Sequence, residues 1–466
     1  MVPQSHSRPS IVPRLSRKVH AFPRRFWMLV GGTLLYLVAI SLAFPYTPIL
    51  LERQLQLSAA AVGLVMGGAA LAGLPLQPFA GSLSDRYGRR AVMIGCALCE
   101  AVAYVGLAVV HGLWPICLLI VLDRGVGWPL FLTASNAMTA DLLRPHLRSE
   151  GYGLVRLMIG AGYVIGPLLA AVVLAVGAPM PALFLLAGGG CLLYLAFVVV
   201  ALKETHPHAT RARVATEISE GPAPFGALSL FTRSGRLHAR QRRRARSHRG
   251  WGDVLADRRF LAFCCVSLLP LFIFGQTYTT YPVLLTSYRH LPLATWGLLV
   301  SFIGLVMVVT QYPGVRAFRG VDPLYPVALA SLLFGCGIGL AAFVPFGWPL
   351  LVTVTALALA SALFAPLSTT VVSHLAQTEL RGRYMGTWTL VWTAGACALG
   401  PLLGGVLLAV LGPEGTCGVI VTLGLSGAFL YLRLRRGGPD PSPVAGYEAE
   451  APRPEARTVG SPTQAL

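Results

Sequence analysis

The chain predicts an all-α integral membrane protein of 12 transmembrane helices, arranged as two pseudo-symmetric six-helix halves. Three observations lead there. Of its 466 residues 55% are hydrophobic and only 12% charged, about half the charged share of a soluble domain. Apolar runs long enough to cross a hydrocarbon core of roughly 30 Å recur along its length. Finally, Gly166-Pro167-Leu168-Leu169 returns as Gly400-Pro401-Leu402-Leu403, 234 residues later. The chain therefore repeats itself.

The spans follow in order. The first, 26–50, is too long for a signal-peptide core and is followed by no small-residue cleavage site, so it reads as an uncleaved span. Pro45 and Pro48 flank Tyr46 near its far end, where the helix should loosen. Spans 59–80, 91–111, 114–139, 151–175 and 182–202 complete the first half. The second half reads as 259–284, 294–315, 324–345, 349–375, 385–410 and 416–433. Around them lie a basic N-terminal segment (1–25), the first half (26–203), a basic linker (204–257), the second half (258–436) and a Pro- and Glu-rich tail (437–466). The linker carries Arg240, Arg242, Arg243, Arg244 and Arg246 but no core-forming pattern, so it and the tail are expected to be largely disordered.

The formal net charge of +19 would suggest nucleic acid as a partner in a soluble protein. Its placement says otherwise. Arg86, Arg89, Arg144, Arg148, Arg316, Arg319, Arg381 and Arg383 fall in loops on one side, and only Arg53 and Arg289 in the other set. That asymmetry is the positive-inside signal and puts both termini in the cytoplasm. The nine cysteines lie in or beside apolar runs and read as small hydrophobes, the Cys96/Cys99 pair included. His111, His290 and His374 are scattered singly, so no metal or membrane-enzyme motif is visible.

Between the second and third spans stands Gly81-Ser82-Leu83-Ser84-Asp85-Arg86-Tyr87-Gly88-Arg89-Arg90, with four charges and two glycines in ten residues. A loop this short has to turn tightly and stay in water. The same offset of 234 carries it onto 315–323, where Arg316, Arg319 and Asp322 keep the charge without the glycine spacing. On this motif the chain resembles the major facilitator superfamily over residues 26–436. The resemblance implies alternating access between the halves. It also implies a gating role for the loop, with Asp85 meeting the start of the eleventh span near Arg381 and Arg383. A carboxylate near such a helix end is favourable by about 0.3–1 kcal/mol. Gly81 would permit close helix approach and Gly88 a turn that a side chain obstructs. Arg86, Arg89 and Arg90 complete the motif, or serve only to set topology.

In the fifth span Gly153, Gly162, Gly166 and Pro167 resemble the pattern of the superfamily's proton-coupled antiporters, with Ala170-Ala171 where a Gly-Gly is usual. Glycines on one face let a neighbouring backbone approach. In the fourth span the arginine usual in drug–proton antiporters is replaced by Val121, and the charges stand at Asp123 and Arg124. Ionisable groups inside spans are functional candidates because burying them is costly. Glu100, about ten residues into the third span, lies at the same depth as Asp123 and Arg124 on its antiparallel neighbour. These three are the candidates for proton coupling; the alternative is an inert buried ion pair.

Candidates for the substrate cavity are Tyr46, Trp128, Asn136, Gln276, Tyr278 and Thr280, with Trp388 and Trp392 as further aromatics. Gln276 to Tyr281 is the most polar run in any span and is expected to face a wet cavity. The reading is a monomeric carrier in a bacterial-type inner membrane, exporting small amphipathic organic compounds against protons. The proton gradient would drive it, with no cofactor and no nucleic-acid partner. A sugar or metabolite uniporter or symporter of the same superfamily is the alternative.

Overall fold

The computed structural model describes residues 22–76, 80, 83–84, 86–205, 251–377 and 380–436. Gly81, Asp85, most of the linker and the tail lie outside these residues. Regular structure is helical throughout the described residues. In chain order the helices are α1 Arg24–Leu55, α2 Ala59–Gly73, α3 Arg89–Val109, α4 Leu113–Leu142, α5 Arg148–Ala175 and α6 Pro181–Ala201. A short helix Trp251–Ala256 precedes α7 Arg258–Gln276. Then come α8 Leu293–Ala317, α9 Leu324–Gly339, α10 Trp348–Leu375, α11 (381–411) and α12 (413–435), the last two parted at Gly412 by a non-helical turn with φ 68°. Every expected span holds a helix. Among the described residues nine helices are long and apolar enough to cross a membrane, counting α11 with α12 and leaving out the shorter α2 and α9.

Prolines decide where these helices depart from ideal geometry, because each removes one backbone donor. Pro45 opens a 3₁₀ turn at Phe44–Tyr46 inside α1, and Pro75 lies in the 3₁₀ turn Leu74–Leu76 that ends α2 earlier than expected. Pro282 cannot donate to the carbonyl of Tyr278, and α7 breaks at 277–279 before resuming at Thr280–Val283. In α4, Pro129 cannot serve Gly125. The ladder there shifts to a π-turn over Leu122–Gly127, with the Trp128 amide donating to Asp123. Pro401 does the same in α11, where Thr393–Leu399 is π-helical and the Gly400 amide donates to Gly395.

The two halves pack alike. In the first, α3 packs on α6 and α1 on α5 and α6; in the second, α9 packs on α12 and α10, and α7 on α11 and α12. Across the molecule α5 meets α8 and α2 meets α11. At the basal end, which carries Arg24 and Arg435, polar bonds tie helices of one half together: Arg89 Nε lies 3.3 Å from Asp141 and Arg435 Nε 3.2 Å from Asp322. At the distal end the halves meet directly. The Tyr46 hydroxyl donates to the Leu293 carbonyl at 3.3 Å, Trp296 Nε1 to the Pro45 carbonyl at 3.1 Å, and the Ser287 hydroxyl to Glu52.

Candidate functional site

Along α3, Cys96, Glu100 and Tyr104 recur every fourth residue and share one buried face. That face meets the π-turn of α4, and α1 supplies Tyr36 beside it. The Tyr36 hydroxyl donates to Glu100 Oε1 at 3.0 Å, and the Tyr104 hydroxyl reaches Asp123 Oδ1 at 3.5 Å. Cys96 Sγ sits 3.3 Å from the Gly127 carbonyl and 3.6 Å from the Tyr36 hydroxyl. Glu100 lies within hydrogen-bonding reach of Asp123. A side chain at Gly127 would strike the Glu100 carboxyl, so the missing Cβ is what lets α4 come this close.

Asp123 and Arg124 are sequence neighbours, which in a regular helix would not face one another. The π-turn brings Arg124 Nε to 3.0 Å from Asp123 Oδ2, a close ion pair not aligned as a hydrogen bond. The guanidinium carbon stands over the ring of Phe44 in α1, 3.4 Å from its centroid. The guanidinium pairs with Asp123, while Glu100 stands beside Asp123. The cluster is electrically neutral only while it also holds one proton, and a second bare carboxylate here would be costly. Gaining and losing that proton is the chemistry these residues can perform.

Arg124 also faces the space between the halves. Tyr163 of α5, Tyr278 of α7 and Cys397 of α11 lie within electrostatic reach of it, and all three are at least partly open. Phe44 bridges the halves, its ring centroid 5.0 Å from that of Tyr278. Behind Tyr278 stand Phe274 and Trp392, 5.7 Å apart, with Phe364 and Trp388 about Trp392.

The expected residues divide accordingly. Glu100, Asp123 and Arg124 come together, while Tyr278 is partly open and Asn136 exposed. Trp128 stacks on Phe131, which stacks on Tyr36. Gln276 and Thr280 are buried: Gln276 Nε2 donates to the Gly400 carbonyl at 2.7 Å, and Thr280 donates to Gln276 and lines a small gap between α2 and α11. Tyr46 is buried in the distal seam. Of the fifth-span pattern, Gly162 and Gly166 seat α5 on Leu37 and Ser41 of α1, the Pro167 carbonyl meets Gly297 of α8, and Gly153 faces open space. Tyr36, Tyr104, Phe44 and Tyr163 escaped the sequence reading, and Cys96 was read only as a small hydrophobe. The fourfold spacing from Glu100 was the signal for Tyr104 and for Cys96.

In the gating motif Gly88 adopts φ 94°, which favours glycine, and its missing side chain leaves room for Glu204. Glu204, at the end of α6, accepts from the Arg89 and Arg90 amides at 2.9 and 3.1 Å. The Arg90 side chain donates to the Val198 and Val199 carbonyls, and Arg86 stands over Tyr87. Among the described residues no three His, Cys, Asp or Glu side chains converge as metal ligands.

Known proteins resemble this chain along most of its length. It is 26% identical over 447 residues to the Multidrug resistance protein MdtH of Klebsiella pneumoniae subsp. pneumoniae, covering 90% of this chain and 97% of that protein. It is 23% identical to the Na(+), Li(+), K(+)/H(+) antiporter of Planococcus maritimus, over 68% of this chain and 74% of that one. Among solved structures, a point mutant of the nucleoside transporter NupG superposes with a TM-score of 0.70 at 12% identity, covering 88% of this chain and all of that one. A bacterial homologue of the human lysosomal transporter Spinster, in an inward-facing and unoccupied conformation, gives 0.66 at 14% identity, covering 88% and 96%. The sequence profile of the Major Facilitator Superfamily matches residues 29–343 and 320–462. This multi-pass membrane chain therefore belongs to the major facilitator superfamily of transporters.

Proposed function

We propose that this chain is a proton-coupled carrier of small amphipathic organic molecules, working by alternating access as a monomer in a bacterial inner membrane with both termini cytoplasmic. The observation that carries the reading is the Glu100–Asp123–Arg124 cluster of the first half, two neighbouring buried carboxyls with one guanidinium paired to Asp123. Proton binding there changes the charge beside the central space, so it can bias which side of the carrier opens. Export against protons is supported by relatives named for multidrug resistance and cation/proton antiport, and by the glycine pattern of α5.

One observation favours a second sense, co-transport with the proton: the only group of the cluster open to the central space is a guanidinium. Proteoliposomes carrying an imposed pH gradient, challenged with a panel of dyes, drugs and sugars, read both the coupling and its sign. Glu100→Gln and Asp123→Asn are each expected to abolish pH-driven flux while leaving downhill exchange measurable. If both variants keep full pH-driven flux, the cluster is a structural ion pair and the reading fails.

A further inference from the structure

The acid pair is shut away from the central space, and Arg124 is the member of the cluster that reaches it. Glu100 and Asp123 are 0% and 2% exposed, whereas 22% of the Arg124 side chain is open. Its Nε and Nη2 are covered by protein. That leaves Nη1 as the open edge, and among the described residues no protein group accepts a hydrogen bond from it. A guanidinium donates in its own plane, and the groups of the other half within reach of this one, Tyr278 and Cys397, are themselves at least partly open. Across that space stands an aromatic wall of Tyr278, Phe274 and Trp392, with neighbouring ring centroids 6.2 and 5.7 Å apart. One half thus offers a cationic donor, the other a cluster of aromatic faces and edges.

We infer that the cargo is an amphipathic organic monoanion, its carboxylate or sulfonate bonded to Arg124 Nη1 and its ring or chain laid against Trp392 and Phe274. The inference rests on the carrier reading and names the cargo of that same site. A cation is repelled by the open guanidinium, and a neutral analogue forgoes the charge-assisted bond. A negative charge at Nη1 and a second one on the acid pair oppose each other, so an anion and the proton favour each other's binding, reciprocally. An anionic cargo therefore selects the co-transport sense.

The test uses the full-length purified protein and three probes sharing one ring system: 2-naphthoate, 2-naphthamide and (2-naphthylmethyl)trimethylammonium. Binding is followed by calorimetry at neutral pH. Naphthoate should bind about tenfold or more tightly than the amide, the scale of a hydrogen bond to a charged group, and the ammonium more weakly than either. Arg124→Gln should erase the preference for naphthoate over the amide, and Arg124→Lys should keep part of it. Trp392→Ala should weaken naphthoate and amide alike and leave their ratio unchanged, which separates loss of the wall from loss of the cation. Calorimetry in buffers of different ionisation enthalpy should show proton uptake with naphthoate and none with the amide. Naphthoate binding that is absent, no tighter than the amide, or unchanged in Arg124→Gln overturns the inference. Flux of the amide or ammonium driven by a pH gradient, with naphthoate excluded, would overturn it while leaving the carrier reading intact. Naphthoate that binds through Arg124 but never crosses the membrane would sink the carrier reading instead.

Discussion

Tyr36 and Tyr104 each give their one proton to a different carboxyl of the acid pair. Removing the Tyr36 donor leaves Glu100 Oε1 without its aligned hydrogen-bond partner. A net hydrogen bond is worth about 1 kcal/mol, and one to a charged group more. Tyr36→Phe is therefore expected to slow pH-driven transport several-fold, with melting temperature nearly unchanged because the ring still stacks on Phe131 at 4.0 Å. A large fall in melting temperature would mean that the hydroxyl is structural. Phe44→Ala removes the surface on which Arg124 lies, a contact of about 0.5–2 kcal/mol. It should weaken transport without abolishing it, as flux in reconstituted vesicles would show. Glu100 and Asp123 were legible as candidates because a charge inside an apolar run stands out. The tyrosines were not, since a buried tyrosine has the same composition signature as packing.

At the scale of the element, the π-turn of α4 is what makes the cluster possible. Pro129 forces it by withholding one amide from the ladder, and the turn carries neighbouring Asp123 and Arg124 onto one site. Pro129→Ala lets the helix recover its α-helical register, rotating the residues before it by up to about 100°, one residue's turn. The variant should be at least as stable to heat and yet lose pH-driven flux. Normal flux in a more stable protein would show that the turn is dispensable. The starts of α3 and α9 show the same device with the charges exchanged. Glu204 from α6 caps α3 and Arg90 bonds back to α6, whereas Asp322 caps α9 through the Leu324 amide and holds Arg435 of α12. Glu204→Ala should therefore cost about 1 kcal/mol, the usual worth of a helix cap, measurable as a lower melting temperature. The loop at 315–323 thus looks degenerate in sequence while Asp322 ties its two helices together as Glu204 ties theirs.

For the molecule as a whole, the halves are joined distally by Tyr46, Trp296 and Ser287, and by Gly63 of α2 packed on Gly405 of α11. Alternating access requires this seam to part. Gly63→Val puts a branched side chain where the Pro401 carbonyl and Gly405 now lie. It should favour the distally open state. Spin labels on the Glu52 and Tyr288 positions should move apart by several ångströms, the scale of domain-closure movements, and transport should fall. An unchanged distance distribution would place the moving contact elsewhere.

Composition, the positions of the arginines and the 234-residue repeat were enough to determine a helical membrane protein in two related halves. The gating motif was enough to suggest its family. Those features are local or periodic, and an apolar helix in a bilayer has few alternatives. The common depth of Glu100 and Asp123 was also predictable, from helix rise and a short turn. What only the tertiary structure decided is which way side chains at that depth point. Gln276 of α7 turned inward to satisfy the Gly400 carbonyl of α11, while Arg124, placed by a π-turn and a ring from α1, was left with one edge open. Rotation about a helix axis is set by its neighbours, and no spacing along the chain records it.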